Sequence, residues 1–319
     1  MKITGTGSYL PPGRLTNFDL EKIVDTSDEW ITTRTGIKSR HVVDKELNVD
    51  MCIKAADKAM AMAGLKYTDL GAIVAASVTN EWQVPSLACQ IQRATGASGY
   101  AFDVSAACSG FMFALKTAQG LMMQDHKPIL VLGSETLSRL MNWEDRGTCI
   151  LFADGAGAVV CEEGDGIEYI NLYSYPDTDH SLEIPGLNQG IKNGEEPSWS
   201  FVTMNGRDIY KFATRTVPQI IEDALQATGT AKEDIDWMVI HQANIRILKS
   251  AAQSCGIPFE KWYSNIDEVG NTSSASVPIL MDEMNTKGLL KNGNKIIVAG
   301  FGGGLTAASA VMNWTCGIE

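Results

Sequence analysis

Ala59-Met60-Ala61-Met62-Ala63-Gly64, followed by Asp69-Leu70-Gly71-Ala72-Ile73-Val74, returns along the chain as Ala224-Leu225-Gln226-Ala227-Thr228-Gly229 followed by Asp234-Ile235-Asp236-Trp237-Met238-Val239. Glycine falls on glycine and aspartate on aspartate, each 165 positions later. In both copies a helical run stops at a glycine, and a short apolar run then reads as a strand. The likeness extends outward from there. The first strand ends at Asn80 and the second at Asn244; Cys108 lies 28 residues beyond one and Asn271 lies 27 beyond the other. A glycine-rich strand ending follows each, Gly155–Val160 and Gly302–Ala307. Self-similarity of this length predicts two related α/β halves, 1–165 and 166–319, in one compact unit.

Apolar runs alternate with helical patterns over the rest of the chain, which argues layered α/β architecture. Strands are expected at Ile73–Val78, Ala101–Val104, Ile129–Leu132, Ala156–Cys161, Trp237–Ile240, Lys295–Phe301 and Thr306–Trp314. Helices are expected at Asp50–Ala63, Ser86–Thr95, Gly110–Met123, Gly206–Thr228 and Ala243–Ser254, with a kink at Pro218. Residues 163–204, rich in Gly, Pro, Asn and acidic side chains, read as a long insertion of loop and short strands.

The 319 residues carry 26 Lys+Arg against 38 Asp+Glu, a formal net charge of −12, and 45% hydrophobic residues. That balance disfavours nucleic-acid binding, which needs clustered cations to neutralise phosphates. No run approaches the length of a membrane span, and the first residues lack a signal-peptide pattern. Seven scattered cysteines without a Cys-x-x-Cys pair argue against a disulfide framework or zinc ribbon and for a reducing, cytoplasmic setting. No metal site and no redox or nicotinamide cofactor is implied.

Three junctions stand out. In Asp103-Val104-Ser105-Ala106-Ala107-Cys108-Ser109-Gly110 a cysteine sits at a strand-to-helix junction among small residues. There the helix N-terminal field is expected to lower its pKa, and the small neighbours leave room for a substrate. His241, in His241-Gln242-Ala243-Asn244, emerges at the carboxyl end of a strand, where open α/β sheets place ligands. Asn271 occupies a second small-residue junction, the repeat partner of the cysteine's; alone it would pass for a helix cap. Gly300-Phe301-Gly302-Gly303-Gly304-Leu305 lacks phosphate-loop spacings, and backbone N–H groups aimed at a developing oxyanion suit it better.

Taken jointly, these residues resemble the β-ketoacyl-acyl carrier protein synthase III family of thiolase-like condensing enzymes. The resemblance spans essentially the whole chain through Asp28–Ile37, Asp103–Gly110, Asp145–Thr148 with Phe152–Ala158, His241–Asn244, Gly270–Thr272 and Gly300–Gly304. It implies a five-layer αβαβα fold. By the same resemblance Cys108 takes an acyl group from acyl-CoA, with the N–H groups of Cys108 and Gly303 as oxyanion hole. His241 and Asn271 bind the thioester carbonyl of a malonyl-carrier protein as CO2 leaves. Trp30, Arg34, Arg146, Gly206, Arg207 and Asn244 match coenzyme A-binding positions. Arg246, Lys249, Lys211 and Arg215 could face an acidic acyl carrier protein, Val84 and Phe301 the acyl pocket, and a homodimer is expected.

Two departures from the family pattern matter. Val84 stands where acetyl-selective members often carry phenylalanine, a residue that reaches the partner subunit's acyl pocket; a smaller side chain there favours branched or longer primers. Leu305-Thr306-Ala307-Ala308-Ser309 has small residues where an aromatic-glycine pair is common. The leading expectation is a decarboxylating condensing enzyme that starts fatty-acid chains. The enzyme alternative is a starter synthase of quinolone or polyketide type with the same Cys-His-Asn set, and from another class a non-catalytic acyl-CoA-binding scaffold. A degradative thiolase would need a second cysteine in the terminal glycine motif, which holds none.

Overall fold

Both copies of the repeat turn on a left-handed glycine. Gly64 (φ 68°) and Gly229 (φ 65°) end their helices in a conformation open to glycine at little cost. One turn of 3-10 helix follows each, Tyr67–Asp69 and Lys232–Asp234, and a strand follows that. The computed structural model describes residues 1–186 and 201–317.

Among the described residues the strands are β1 (Lys2–Tyr9), β2 (Gly13–Thr16), β3 (Ser39–Val42), β4 (Ala72–Ala76), β5 (Tyr100–Val104), β6 (Ile129–Thr136), β7 (Asp154–Glu162), β8 (Ile167–Ser174), β9 (Leu182–Glu183), β10 (Thr203–Met204), β11 (Trp237–Ile240), β12 (Lys295–Gly302) and β13 (Thr306–Asn313). The helices are α1 (Asn17–Leu20), α2 (Asp28–Thr35), α3 (Asn48–Ala63), α4 (Leu87–Thr95), α5 (Gly110–Asp125), α6 (Gly206–Thr228), α7 (Ile245–Cys255), α8 (Ile266–Val269) and α9 (Ser276–Thr286). One sheet runs β1-β7-β6-β4-β5 and the other β11-β12-β13-β8. Among the described residues the second has no strand equivalent to β5; an isolated bridge between Met238 and Trp262 marks the place.

Side chains alternate across a strand, so each sheet offers two apolar faces. Ile73 and Ala75 of β4 and Leu130 and Leu132 of β6 pack with Ala55, Ala59, Leu87 and Ile91 of α3 and α4. Their neighbours Val74, Ala76 and Val131 face Phe111, Leu115, Val277 and Met281 of α5 and α9. Ile296 and Val298 of β12 join that central layer, while Ile297, Ala299 and Phe301 meet Val217, Ile221, Leu248 and Ala251 of α6 and α7. The order is therefore helices, sheet, helices, sheet, helices: αβαβα. A fourth cluster, including Leu20, Ile31, Met141, Phe152 and Ile266, forms a cap.

Two features differ from the sequence reading. The segment 163–204 contains a full eight-residue strand, β8, paired along β13; its residues 187–200 lie outside those described. β1 was not anticipated, because its Thr-Gly-Thr-Gly run reads as loop. Those glycines serve close packing instead: a Cβ on Gly5 would lie 2.1 Å from the carbonyl oxygen of Ala59, and one on Gly7 2.2 Å from that of Ala55. Helix α6 spans Gly206–Thr228 as its pattern predicts, with Pro218 inside it.

Candidate active site

The turn Ala107–Ser109 joins β5 to α5, and Ala107 holds a left-handed φ of 46°. That sharp corner presents the Cys108 thiol just ahead of the helix. A second turn, Ser273–Ala275, leads into α9, and Ser273 adopts φ 50°. The two turns pack on each other between the halves. Counting along the chain had matched Cys108 with Asn271; the shared left-handed residue instead pairs Ala107 with Ser273 and Cys108 with Ser274.

Cys108 is 7% exposed, and Gly302 of β12 closes against it. The expected lowering of its pKa by the helix end does not prevail. Burial pushes the thiol up to about 11, and the nearby Glu135 carboxylate adds to the rise, while the Ser273 side chain favours the ionised form. Thr306 supports the same corner: its hydroxyl lies 2.7 Å from Ser109 Oγ and donates to the carbonyl of Gly303 at 2.9 Å.

His241 follows β11, its N–H donating to Ala299 of β12 at 2.9 Å, and its ring meets Phe301 edge-on at 5.1 Å. It is fully buried, both ring nitrogens lack a partner, and burial drives its pKa down to about 3. A neutral imidazole results. Buried unpaired polar atoms are costly, and a ligand carbonyl is a fitting partner for them. Asn271 is held from both sides, its N–H donating to Leu151 and its carbonyl accepting from Ala153. Its Oδ1 accepts from the Ser273 N–H at 2.9 Å, which turns the amide NH2 outward as a donor.

Glu135, at the end of β6, was missed in the sequence because a single acidic residue after an apolar run carries no periodic signal. It is fully buried beneath both turns. Oε1 accepts from Ser274 at 2.6 Å and from Ser273 at 3.5 Å; Oε2 accepts from Thr79 at 2.7 Å, the Val78 N–H at 3.1 Å and Ser77 at 3.3 Å. Burial raises its pKa to about 7 despite these donors.

Beyond this centre, Trp30 of α2 lies between two guanidinium groups, Arg34 at 4.8 Å and Arg146 at 5.1 Å from its ring. Gly206 and Arg207 open α6 at an exposed helix start. Asn244 caps α7, accepting from the Arg246 N–H at 2.8 Å. Arg246, Lys249, Lys211 and Arg215 are exposed on the neighbouring helices α6 and α7; Lys211 is engaged by Asp208 at 3.0 Å. Val84 is 85% exposed whereas Phe301 is buried. Among the described residues no group of His, Cys, Asp and Glu could hold a metal, and no helix is long and apolar enough to cross a membrane.

Residues 102–176 match the family model described as 3-Oxoacyl-[acyl-carrier-protein (ACP)] synthase III, and residues 225–314 match its C-terminal counterpart. The β-ketoacyl-[acyl-carrier-protein] synthase III of Clostridium acetobutylicum is 44% identical over 99% of both chains. The 3-oxoacyl-[acyl-carrier-protein] synthase III of Aquifex aeolicus superposes with a TM-score of 0.92 at 40% identity, covering 98% of this chain and 99% of its own. The priming β-ketosynthase of the R1128 polyketide pathway superposes at 0.91 but with 29% identity, over 98% and 96%. Fold and likeness together define a condensing acyltransferase of the thiolase fold. Within that class the chain belongs to the 3-oxoacyl-[acyl-carrier-protein] synthase III family.

Proposed function

We propose that this chain joins an acyl-CoA primer to malonyl-acyl carrier protein with loss of CO2, giving β-ketoacyl-acyl carrier protein and free coenzyme A, the step that initiates fatty-acid synthesis. The observation that carries this reading is the fully buried, neutral His241 with two unpartnered nitrogens, just past β11, the strand paired with the one whose Gly302 closes on Cys108. In the first half-reaction Cys108 sulfur bonds to the acyl carbon, and the Cys108 and Gly303 N–H groups receive the oxyanion. Coenzyme A then leaves with the thiol's proton.

In the second half-reaction His241 and the outward Asn271 amide donate to the malonyl thioester carbonyl. Loss of CO2 leaves an enolate there, so no strong base is required; its α-carbon attacks the acyl-Cys108 carbon, the bond from that carbon to Cys108 Sγ breaks, and the released thiolate takes up a proton from solvent. A neutral imidazole is the form suited to donate without first trapping a proton. Coenzyme A would bind at Trp30, Arg34 and Arg146, with Gly206, Arg207 and Asn244 along its path. Stacking between guanidinium planes suits an adenine, and the free charge of the arginines suits its phosphate.

The carrier protein would dock on Arg246, Lys249, Lys211 and Arg215. We infer a cytoplasmic homodimer, a reading supported by β5 at a sheet edge and by exposed Trp82, Val84, Tyr100 and Met123. The higher identity to the Clostridium enzyme than to the polyketide priming enzyme supports primary over secondary metabolism. Intact-mass spectrometry after mixing with acetyl-, isovaleryl- and octanoyl-CoA tests the reading: an adduct on wild type, absent in Cys108→Ala and cleared by malonyl-carrier protein, is expected. Binding without any adduct would point to a scaffold instead.

A further inference from the structure

Arg40 of β3 is fully buried, and among the described residues no carboxylate pairs with it. A guanidinium keeps its charge at any working pH, and a charge taken out of water is costly unless its donors are satisfied. Three acceptors meet them. Nη1 donates to the Leu15 carbonyl at 3.0 Å, and Nη2 donates to Asn17 Oδ1 at 2.9 Å and to the Ile150 carbonyl at 2.7 Å, while Nε has no partner. The reaction proposed above makes no use of this group. Its place has one, because Ile150 opens the short strip from which Asn271 hangs.

Two segments fix the backbone of Asn271. Residues 150–153 supply both of its main-chain hydrogen bonds: the Asn271 N–H donates to the Leu151 carbonyl at 3.1 Å, and the Ala153 N–H donates to the Asn271 carbonyl at 2.8 Å. The chain leading into Asn271 is laid along β3 and the residue before it. The Lys38 N–H donates to the Asp267 carbonyl at 2.9 Å, and Ser39 Oγ donates to the Glu268 carbonyl at 3.0 Å. Gly270 then fits against Arg40 itself. A Cβ on that glycine, which holds a φ of 79°, would lie 3.0 Å from the Cβ of Arg40 and 3.0 Å from that of Ala153. Arg40 therefore touches both segments, its stem on Gly270 and its guanidinium on Ile150.

We propose that Arg40 is a positioning residue for Asn271: by tying Ile150 to β3 and packing on Gly270, it fixes where the Asn271 amide stands relative to His241. This deepens the function proposed above and rests on Asn271 and His241 sharing the malonyl thioester carbonyl. The rotation of the amide is set by the Ser273 N–H on Oδ1; its location is set by the bracketing backbone. A planar fork of fixed donors suits that task. A lysine presents its donors from a single atom and cannot span Leu15, Asn17 and Ile150 together. Cys108 is presented by the turn after β5 and closed on by Gly302 of β12, and none of the Arg40 hydrogen bonds reaches either. The bracket is thus felt in the second half-reaction and not in the first.

The test forms the acyl-enzyme from saturating acetyl-CoA or isovaleryl-CoA, removes the free acyl-CoA and follows clearance of the adduct by malonyl-carrier protein. Wild type, Arg40→Lys, Asn271→Ala and the double variant are compared. Saturation matters because Asn17 also donates to Asp28 of α2, the helix of Trp30, at 2.8 Å. Arg40→Lys should acylate at close to the wild-type rate yet clear about 10²-fold more slowly, the cost of a displacement on the 1 Å scale. Asn271→Ala should clear slowly as well, and adding Arg40→Lys should slow it no further, since a residue that acts through Asn271 then has nothing left to position. Multiplied losses in the double variant, acylation that falls in step with clearance, or clearance by Arg40→Lys at the wild-type rate would each overturn the proposal. Should Arg40→Lys not fold, Arg40→Met, which removes the buried charge along with the fork, takes its place in the same cycle. Failure of both to fold would also overturn it, making Arg40 a pillar of the whole cap. If wild type takes up no acyl group, or Asn271→Ala clears normally, the functional reading fails by itself. A crystal structure of Arg40→Lys then decides the bracket, a shift of 150–153 and 270–271 supporting it and an unmoved Asn271 overturning it.

Discussion

Gly302 lies so close to Cys108 that a Cβ on the glycine would sit 2.8 Å from the cysteine's Cβ and 2.9 Å from its backbone nitrogen. Both are below the distances that real side chains tolerate, and the second concerns backbone, which cannot swing aside. Gly302→Ala should therefore push the elbow back from β12 and spoil the aim of the thiol. Misplacement on the 1 Å scale costs about 10²-fold in rate, and that loss is expected in the acylation rate read by mass spectrometry. A Cβ on the neighbouring Gly303 would meet Leu182, its side chain at 3.3 Å and its carbonyl oxygen at 3.5 Å, so Gly303→Ala should fold with a smaller displacement of Cys108. Acylation of Gly302→Ala at the wild-type rate would contradict the close approach.

His241 makes folding sensitive to acid. Its pKa in the folded chain is near 3 against 6.5 for an unrestrained histidine, so the unfolded chain binds a proton over that interval and the folded chain does not. Stability from this group is fully present above pH 6.5 and drains away as pH falls toward 3, by about 5 kcal/mol across the whole window. A His241→Gln variant should lose stability less steeply between pH 6.5 and 3 in urea titrations. Parallel slopes for the two proteins would show that the ring is not buried neutral.

The layered fold was legible because a 165-residue offset is visible in glycine and aspartate alone, and Gly64 and Gly229 do the same physical job at both places. The Cys108 and His241 junctions were legible too, since small residues between strand and helix leave a sequence trace. Residue-level equivalence between the halves was not. Counting put Asn271 opposite Cys108, whereas backbone conformation puts Ser274 there. The thiol's pKa was misread for a related reason: the helix end can be seen in sequence, but the depth of burial and the approach of Glu135 from β6 depend on how the sheets stack. Glu135 itself, like the glycines of β1, has a meaning set by distant partners.

Trp30 between Arg34 and Arg146 should act on binding rather than chemistry. Trp30 packs against the cap, and Arg146 also donates to the Asp25 carbonyl at 2.9 Å. Trp30→Ala should raise KM for acyl-CoA by about 10-fold, in line with a stacking contact of ~1 to 2 kcal/mol, with kcat nearly unchanged. Steady-state kinetics with acyl-CoA as the varied substrate check this. A fall in kcat with an unchanged KM would place the cluster in the chemistry instead.

The basic faces of α6 and α7 stand out against a chain whose net charge is −12. Lys211 is partly neutralised by Asp208, so Arg246 and Lys249 on α7 should do most of the attracting; both lie near aromatic rings, Arg246 at 5.7 Å from Tyr210 and Lys249 at 5.9 Å from Phe259, which hold them at the surface. Arg246→Ala/Lys249→Ala should raise KM for malonyl-carrier protein by about 10-fold at low salt while leaving acylation by acyl-CoA untouched. Because exposed charges are screened within about 8 Å at physiological ionic strength, the gap between variant and wild type should narrow as salt is raised. A gap that persists at high salt would mean the two side chains act by packing, and an effect on acylation would mean that the face serves coenzyme A rather than a protein.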